Sequence, residues 1–211
     1  MHYLLDNPAL VLRLLGQQLW LTCAALALAS LFALPLGVIA TRNPQVRGPL
    51  LGILGTIYTI PSLALFVLLI PLMGLGFAPA LVALVAYAQI ILVRNITVGL
   101  LGVDAAVLEA ARGIGMTVWQ CFWRVEMPLA LPIILAGARV AVLTTISIGT
   151  LAAFINAGGL GTLLFIGVSQ SHPDKIIAGA IGVTALALAA NALMRTLESR
   201  AIRVIRGDGS P

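Results

Sequence analysis

Glu109, Arg112, Arg124 and Glu126 stand in the stretch EAARGIGMTVWQCFWRVEMP, residues 109 to 128, of a chain that is 61% apolar and 9% charged. Charge gathered this densely invites a search for phosphate or acid-base chemistry. Neither finds support. A phosphate-gripping P-loop needs a Lys beside a Gly-rich turn, and Lys175, the one lysine, follows Asp174 with no such turn. ATP hydrolysis is therefore not expected of this chain. The serines and the histidines His2 and His172 form no nucleophile and base pattern, and Cys23 and Cys121 lack the spacing of a metal or redox pair. The sequence offers no catalytic residue, no metal ligand and no cofactor-binding residue.

The blocks on either side of the charged stretch explain its setting. Mean hydropathy is +1.10, well beyond a soluble domain, in which apolar residues make up roughly half. Residues 14–41, 48–93, 140–173 and 176–194 contain no Asp, Glu, Lys or Arg. A crossing helix needs about 20 apolar residues, so these runs predict an all-α integral membrane protein. The 48–93 run would be about 70 Å long as one helix, and it breaks at GLGFAP, residues 74–79. The 140–173 run breaks at Asn156-Ala-Gly-Gly-Leu-Gly161. Five spans follow, near 20–40, 52–73, 79–99, 133–153 and 175–195. LGTLLFIGV, residues 160–168, is too short to cross and is expected to be re-entrant or interfacial. Asp6 and Pro8 interrupt the start, and no basic leader precedes the first span, which is expected to be retained.

Arg42, Arg47, Arg94, the two loop arginines and Arg195, Arg200, Arg203 and Arg206 fall on one predicted side, against Arg13 and Lys175 on the other. By the positive-inside rule the N-terminus is outside and the C-terminus cytoplasmic. The basic residues are dispersed, which argues against nucleic acid as a partner. The chain then divides into an external segment 1–14, a membrane domain 15–197 with a cytoplasmic loop 104–128, and a basic tail 198–211, whose charge fixes topology and could also meet anionic lipid.

Within the loop, Asp104 suits the N-cap of a helix through AAVLEAAR, and Gly113 and Gly115 suit its stop. Ala106 and Ala110 share a face, as do Val107 and Ala111. Thr117 and Gln120 have capping-box spacing for a second short helix, which Pro128 is expected to end. Trp119, Phe122 and Trp123 then share a face. Residue chemistry leaves two readings open: an amphipathic loop anchored in lipid headgroups by its tryptophans, or an element that docks into a groove on a cytoplasmic partner.

Glu109-Ala110-Ala111, Gly115, Val125 and Met127-Pro128 resemble, at fixed spacings, the EAA loop of type I ABC importer permeases, with Val and Met where that pattern usually has Ile and Leu. The resemblance covers residues 15–197 and implies a MetI-like core in the bacterial inner membrane. It also implies that Trp119 and Phe122 join the motif residues in coupling to separate ATPase subunits, which bind ATP and Mg. The implied partners further include a second permease copy or sister subunit, and an external substrate-binding protein. TIPSLALF (59–66), LVRNITVGLLGVD (92–104) and LAAFINAGGLGTLLFIG (151–167) are most similar to osmoprotectant permeases, for glycine betaine, carnitine or choline. A permease for another small solute such as an amino acid is the alternative, and a membrane scaffold or channel the more distant one.

Polar groups within spans need a reason. Pro61 should kink its helix, making Tyr58, Pro61 and Ser62 candidates for lining a translocation path, with Thr145 and Asn156 added from the other breaks and hydroxyl-rich stretches. Arg139, inside a span, is expected to pair or snorkel, or else to serve the path; Arg94 is expected to snorkel. The 12 aromatic residues, three of them in the loop, are few for an aromatic cage around a quaternary ammonium. Tight recognition is therefore assigned to the external binding protein.

Overall fold

A computed structural model of the chain describes residues 7–206. His2, the start of the 1–14 segment and the end of the 198–211 tail lie outside the described residues. The described residues are helical, with no strand among them. In chain order the helices are α1 (Pro8–Arg42), α2 (Pro44–Thr59), α3 (Ser62–Met73), α4 (Phe77–Leu101), α5 (Ala105–Gly113), α6 (Val118–Cys121), α7 (Met127–Leu151), α8 (Gly161–Ser169) and α9 (Pro173–Arg206). A π turn, Phe122–Glu126, joins α6 to α7, and a 3-10 turn, Ala152–Ile155, follows α7.

Four helical bodies are individually long and apolar enough to cross a membrane: Pro8–Arg42, Phe77–Leu101, Val118–Ile155 and Pro173–Arg203. The pair α2 and α3 passes the same test jointly but is bent by 93°. The crossing expected near 52–73, with a kink at Pro61, is thus broken there into two helices. Pro61 has no N–H to donate into the preceding turn, and its ring excludes an α conformation for Ile60, which is extended at ψ 129°. The Tyr87 hydroxyl of α4 donates to the Ile60 carbonyl exposed by the bend.

α1 starts at Pro8, well inside the segment expected to precede the first span. Proline is favoured in the first turn of a helix because the N–H it lacks has no acceptor there, and the next charge, Arg13, is compatible with helix. At the other end the boundary drawn at 197 falls inside α9, which runs on to Arg206. The re-entrant expectation for 160–168 corresponds to α8, entered through Asn156, Gly158 and Gly159 at positive φ.

α4 lies between α1 and α7. α1 turns a stripe of small residues to the core, with Ala25, Ala29, Ala33 and Ala40 fully buried, and such stripes let membrane helices approach closely. At Gly37 the approach is so close that a Cβ would sit 2.5 Å from Ile96 Cγ2 of α4. Polar side chains tie the same contact, with Gln89 Nε2 donating to the Ala29 carbonyl at 3.1 Å and the Thr97 hydroxyl lying 3.4 Å from the Gly37 carbonyl. Replacing Gly37 with Leu should force α1 and α4 apart and cost about 1–3 kcal/mol, read as a lower unfolding temperature of the purified protein in detergent; an unchanged temperature would show the contact to be slack.

Candidate functional site

The loop from Asp104 to Pro128 is two short helices locked by their own caps. The Asp104 carboxylate accepts from Ala106 N at 2.9 Å, opening α5. Its end is a Schellman arrangement: Met116 N bonds Ala111 O at 3.2 Å and Gly115 N bonds Arg112 O at 2.9 Å. Gly115 stands at φ +86°, a conformation that costs a residue with a Cβ but not glycine. Thr117 and Gln120 form the capping box in both directions, at 2.9 and 3.3 Å.

Pro128 does not end this second helix. The chain continues without a break from Val118 to Ile155, with Pro128 in the first turn of α7. In the π turn before it Met127 N bonds Phe122 O, one residue further back than in an α-helix. A widened turn of this kind accommodates a pyrrolidine ring that would strike the carbonyl four residues back in a regular helix.

The motif residues divide by exposure. Glu109 and Ala110 are exposed while Ala111 is buried inward; Val125, Met127 and Pro128 are half-buried where the loop meets α7. Trp119, Phe122 and Trp123 stack edge-on or tilted at centroid distances of 5.1–6.4 Å. With Val118 they form one wall of an apolar groove of about 460 Å³, whose other wall is Leu34, Pro35, Val38, Ile39 and Arg42 of α1. The aromatic face is thus shared with the chain's own first helix. The outermost apolar side chains of the loop are Ile114 and Val118, 77% and 79% exposed, and Trp119.

Arg42 at the end of α1 donates to Glu126, which is 3% exposed, and the two form an ion pair. Sequence reasoning grouped Glu126 with the other charges of the loop and missed this contact. The available signal was position: an acid two residues before the first proline of a span requires a partner, and a run of arginines lies on the same side. Arg139 likewise pairs with Glu198 of α9 at 3.1 Å, the structural alternative of those weighed for it.

The candidate path residues do not converge. Tyr58 lines a recess of about 510 Å³ with Ile90, Ile91, Arg94, Asn95 and Val98 of α4. Pro61, exposed, and Ser62, half-buried, stand at the bend. Thr145 is 2% exposed in the core. Asn156, in the left-handed conformation, lines a separate recess of about 240 Å³ with Arg13, Gln17 and Thr162. Gln17 there accepts from Gly159 N at 3.1 Å, and the fully buried Gln18 donates to Ile146 O at 3.4 Å. Gln17 thus holds the break after α7, and Gln18 ties α1 to α7 itself. An amide pair in an apolar run was the signal that sequence reading passed over. Among the described residues no cluster of His, Cys, Asp and Glu is able to hold a metal.

The family model described as binding-protein-dependent transport system inner membrane component matches residues 33–203. The chain belongs to that family. This permease is 40% identical over 200 residues to the glycine betaine/carnitine/choline transport system permease protein OpuCB of Bacillus subtilis, with 95% of this chain and 92% of the relative covered. It is 42% identical over 202 residues to the osmoprotectant import permease protein OsmW of Salmonella typhimurium, covering 93% and 94%. Its fold matches a chain of the inward-facing MetNI methionine ABC transporter with a TM-score of 0.82 at 21% identity, over 92% of this chain and 98% of that one. The permease therefore has the MetI-like ABC permease fold, with four or five candidate spans.

The ion pair at the base of the loop makes an asymmetric prediction. Arg42→Ala leaves a buried carboxylate unpaired, whereas Glu126→Gln leaves a guanidinium that reaches water. The first should cost on the order of 1–3 kcal/mol and the second less, read as unfolding temperatures in detergent; equal losses would mean that the pair is not what holds the loop to α1.

Proposed function

We propose that this chain is the transmembrane permease subunit of an ATP-driven importer that carries a small osmoprotectant, a quaternary amine such as glycine betaine, carnitine or choline. The observation that carries this reading is relatedness at 40% and 42% identity, over more than nine tenths of the chain, to permeases named for those solutes. In this reading the bent α2–α3 pair counts as one crossing, giving five spans with the N-terminus outside and the C-terminus in the cytoplasm of a bacterium with its inner membrane around it. Two permease chains, identical or sister, enclose the path, because five helices are few to do so alone. An external binding protein delivers the solute, and two ATPase subunits bind ATP and Mg and supply the work.

The loop is the docking element. Lipid anchoring and docking were equally compatible with its residue chemistry. Docking is favoured by the motif spacing, and by a tip at Ile114 and Gly115, which stands apart from the groove shared with α1 and leaves Ile114 77% exposed. ATP binding in the ATPase subunits docked on this loop then favours one of two conformations through contacts that differ between them. Glu109, Ala110, Ala111, Gly115, Trp119, Phe122, Val125, Met127 and Pro128 form or support the docking surface.

Two measurements test the reading. The permease should retain an ATPase subunit through purification in mild detergent, and a strain lacking it should lose uptake of labelled betaine, carnitine or choline while amino-acid uptake persists. Gly115→Val and Glu109→Phe should lower transport about tenfold or more, with membrane abundance unchanged. Variants that transport at the normal rate, or that fail to insert, would remove the docking assignment.

A further inference from the structure

A guanidinium within a membrane-crossing helix needs a counter-charge, water or a route to the interface. Arg42 has Glu126, and Arg139 has Glu198. Arg94 lies seven residues before the end of α4, about 10 Å along its axis, and among the described residues it has no ion pair or hydrogen bond. Its side chain is exposed and lines the 510 Å³ recess that it shares with Asn95 of α4 and Tyr58 of α2. The Tyr58 ring is held edge-on to Tyr87 at 5.7 Å, and Tyr87 is fixed in turn by its bond to the Ile60 carbonyl. The polar recess is thus set beside the Pro61 bend.

A second copy of this chain offers no obvious counter-charge. The described carboxylates are Asp104 and Glu109 in the loop, Glu126 and Glu198, already paired, and Asp174 at the start of α9. None lies within the apolar body of a span. Snorkelling toward the headgroups, about 10 Å along the helix, is the structural alternative; the other source of negative charge is a mobile solute. Glycine betaine and carnitine carry a carboxylate beside the quaternary ammonium; choline carries a hydroxyl and a net positive charge. A planar guanidinium accepts a carboxylate through two parallel hydrogen bonds, and it repels a bare cation.

We propose that Arg94, with Asn95 and Tyr58 beside it, is a carboxylate-reading station in the translocation path that favours zwitterionic osmoprotectants over choline. The station deepens the osmoprotectant reading and rests on it. It acts by transient attraction during passage, after the binding protein has released the solute, so it filters solutes without trapping them.

The test is competitive uptake of labelled glycine betaine and choline by the assembled transporter, with its own ATPase and binding protein held constant, comparing wild type, Arg94→Lys and Arg94→Gln. Arg94→Gln should lower the betaine-to-choline uptake ratio about tenfold or more, and Arg94→Lys, which keeps the charge but loses the two-pronged geometry, should fall between. Should Arg94→Gln fail to accumulate in the membrane, the lysine variant decides: a raised KM for betaine relative to choline supports the station, and an unchanged relative KM overturns it. Parallel loss of both solutes, or an unchanged ratio, also overturns it and makes Arg94 structural. A wild type that carries choline but not betaine overturns the station while leaving the quaternary-amine permease standing. A wild type that carries neither removes the solute reading itself and the station with it.

Discussion

The contact on which this fold depends is the close approach of α1 and α4 at Gly37 and Ile96, continued on the other face of α4 at Gly99, where a Cβ would lie 3.1 Å from the Ala130 carbonyl of α7. Lipid tails are as apolar as leucine, so greasiness alone does not hold helices together within a bilayer; dense packing and hydrogen bonds do. The alanine stripe of α1 supplies the first, and Gln89 and Thr97, both buried and bonded to the Ala29 and Gly37 carbonyls of α1, supply the second. With α1, α4 and α7 joined, the remaining pieces have a frame to be positioned against.

Each irregular piece is secured by a group from that frame or from another irregular piece. The Ile60 carbonyl at the α2–α3 bend takes the Tyr87 hydroxyl of α4. Gly76 N, in the turn before α4, bonds Ile155 O at 2.7 Å, and Gly159 N bonds Gln17 of α1. This follows from the rule that non-helical backbone at membrane depth survives only where protein or enclosed water satisfies it. The loop is secured in the same manner at three points: α4 leads directly into it, the π turn leads out of it into α7, and Arg42 of α1 grips Glu126 at its base. A force applied to the loop therefore reaches all three frame helices, two through continuous chain and one through an ion pair.

What the sequence revealed and what it withheld divide along the same line. Asp104, Gly115, Thr117 and Gln120 were readable because a cap is made by neighbours in sequence, and the breaks at GLGFAP and Asn156 because glycine and asparagine act locally. The Pro61 kink was readable, but not its 93° extent, since the angle depends on where α4 offers Tyr87. Pro128 misled because a π turn, one residue looser than α, absorbs a ring that otherwise ends a helix. Gln17, Gln18 and the Arg42–Glu126 pair were hidden because each partner is 84 or more residues away, and nothing in either neighbourhood names the other. The candidate path residues were chosen by residue type and stand apart in the fold: Tyr58 lines the recess beside Arg94, Asn156 a separate one, and Thr145 is buried in the core, because helix rotation, not residue type, decides what each side chain faces.

The arginines of the spans differ in what the fold places beside them. Arg42 and Arg139 have acidic partners across elements, so their charge is neutralised within the fold and binds α1 to the loop and α7 to α9. A charge neutralised in this way exerts little pull on a passing solute, because its field is largely cancelled at short range. Arg94 differs in that its recess is walled by Ile90, Ile91 and Val98 and contains no carboxylate. Low-dielectric walls focus the field of such a charge into the recess instead of dispersing it. The same guanidinium therefore serves as a fastener where the fold provides an acid, and as a source of field where it withholds one.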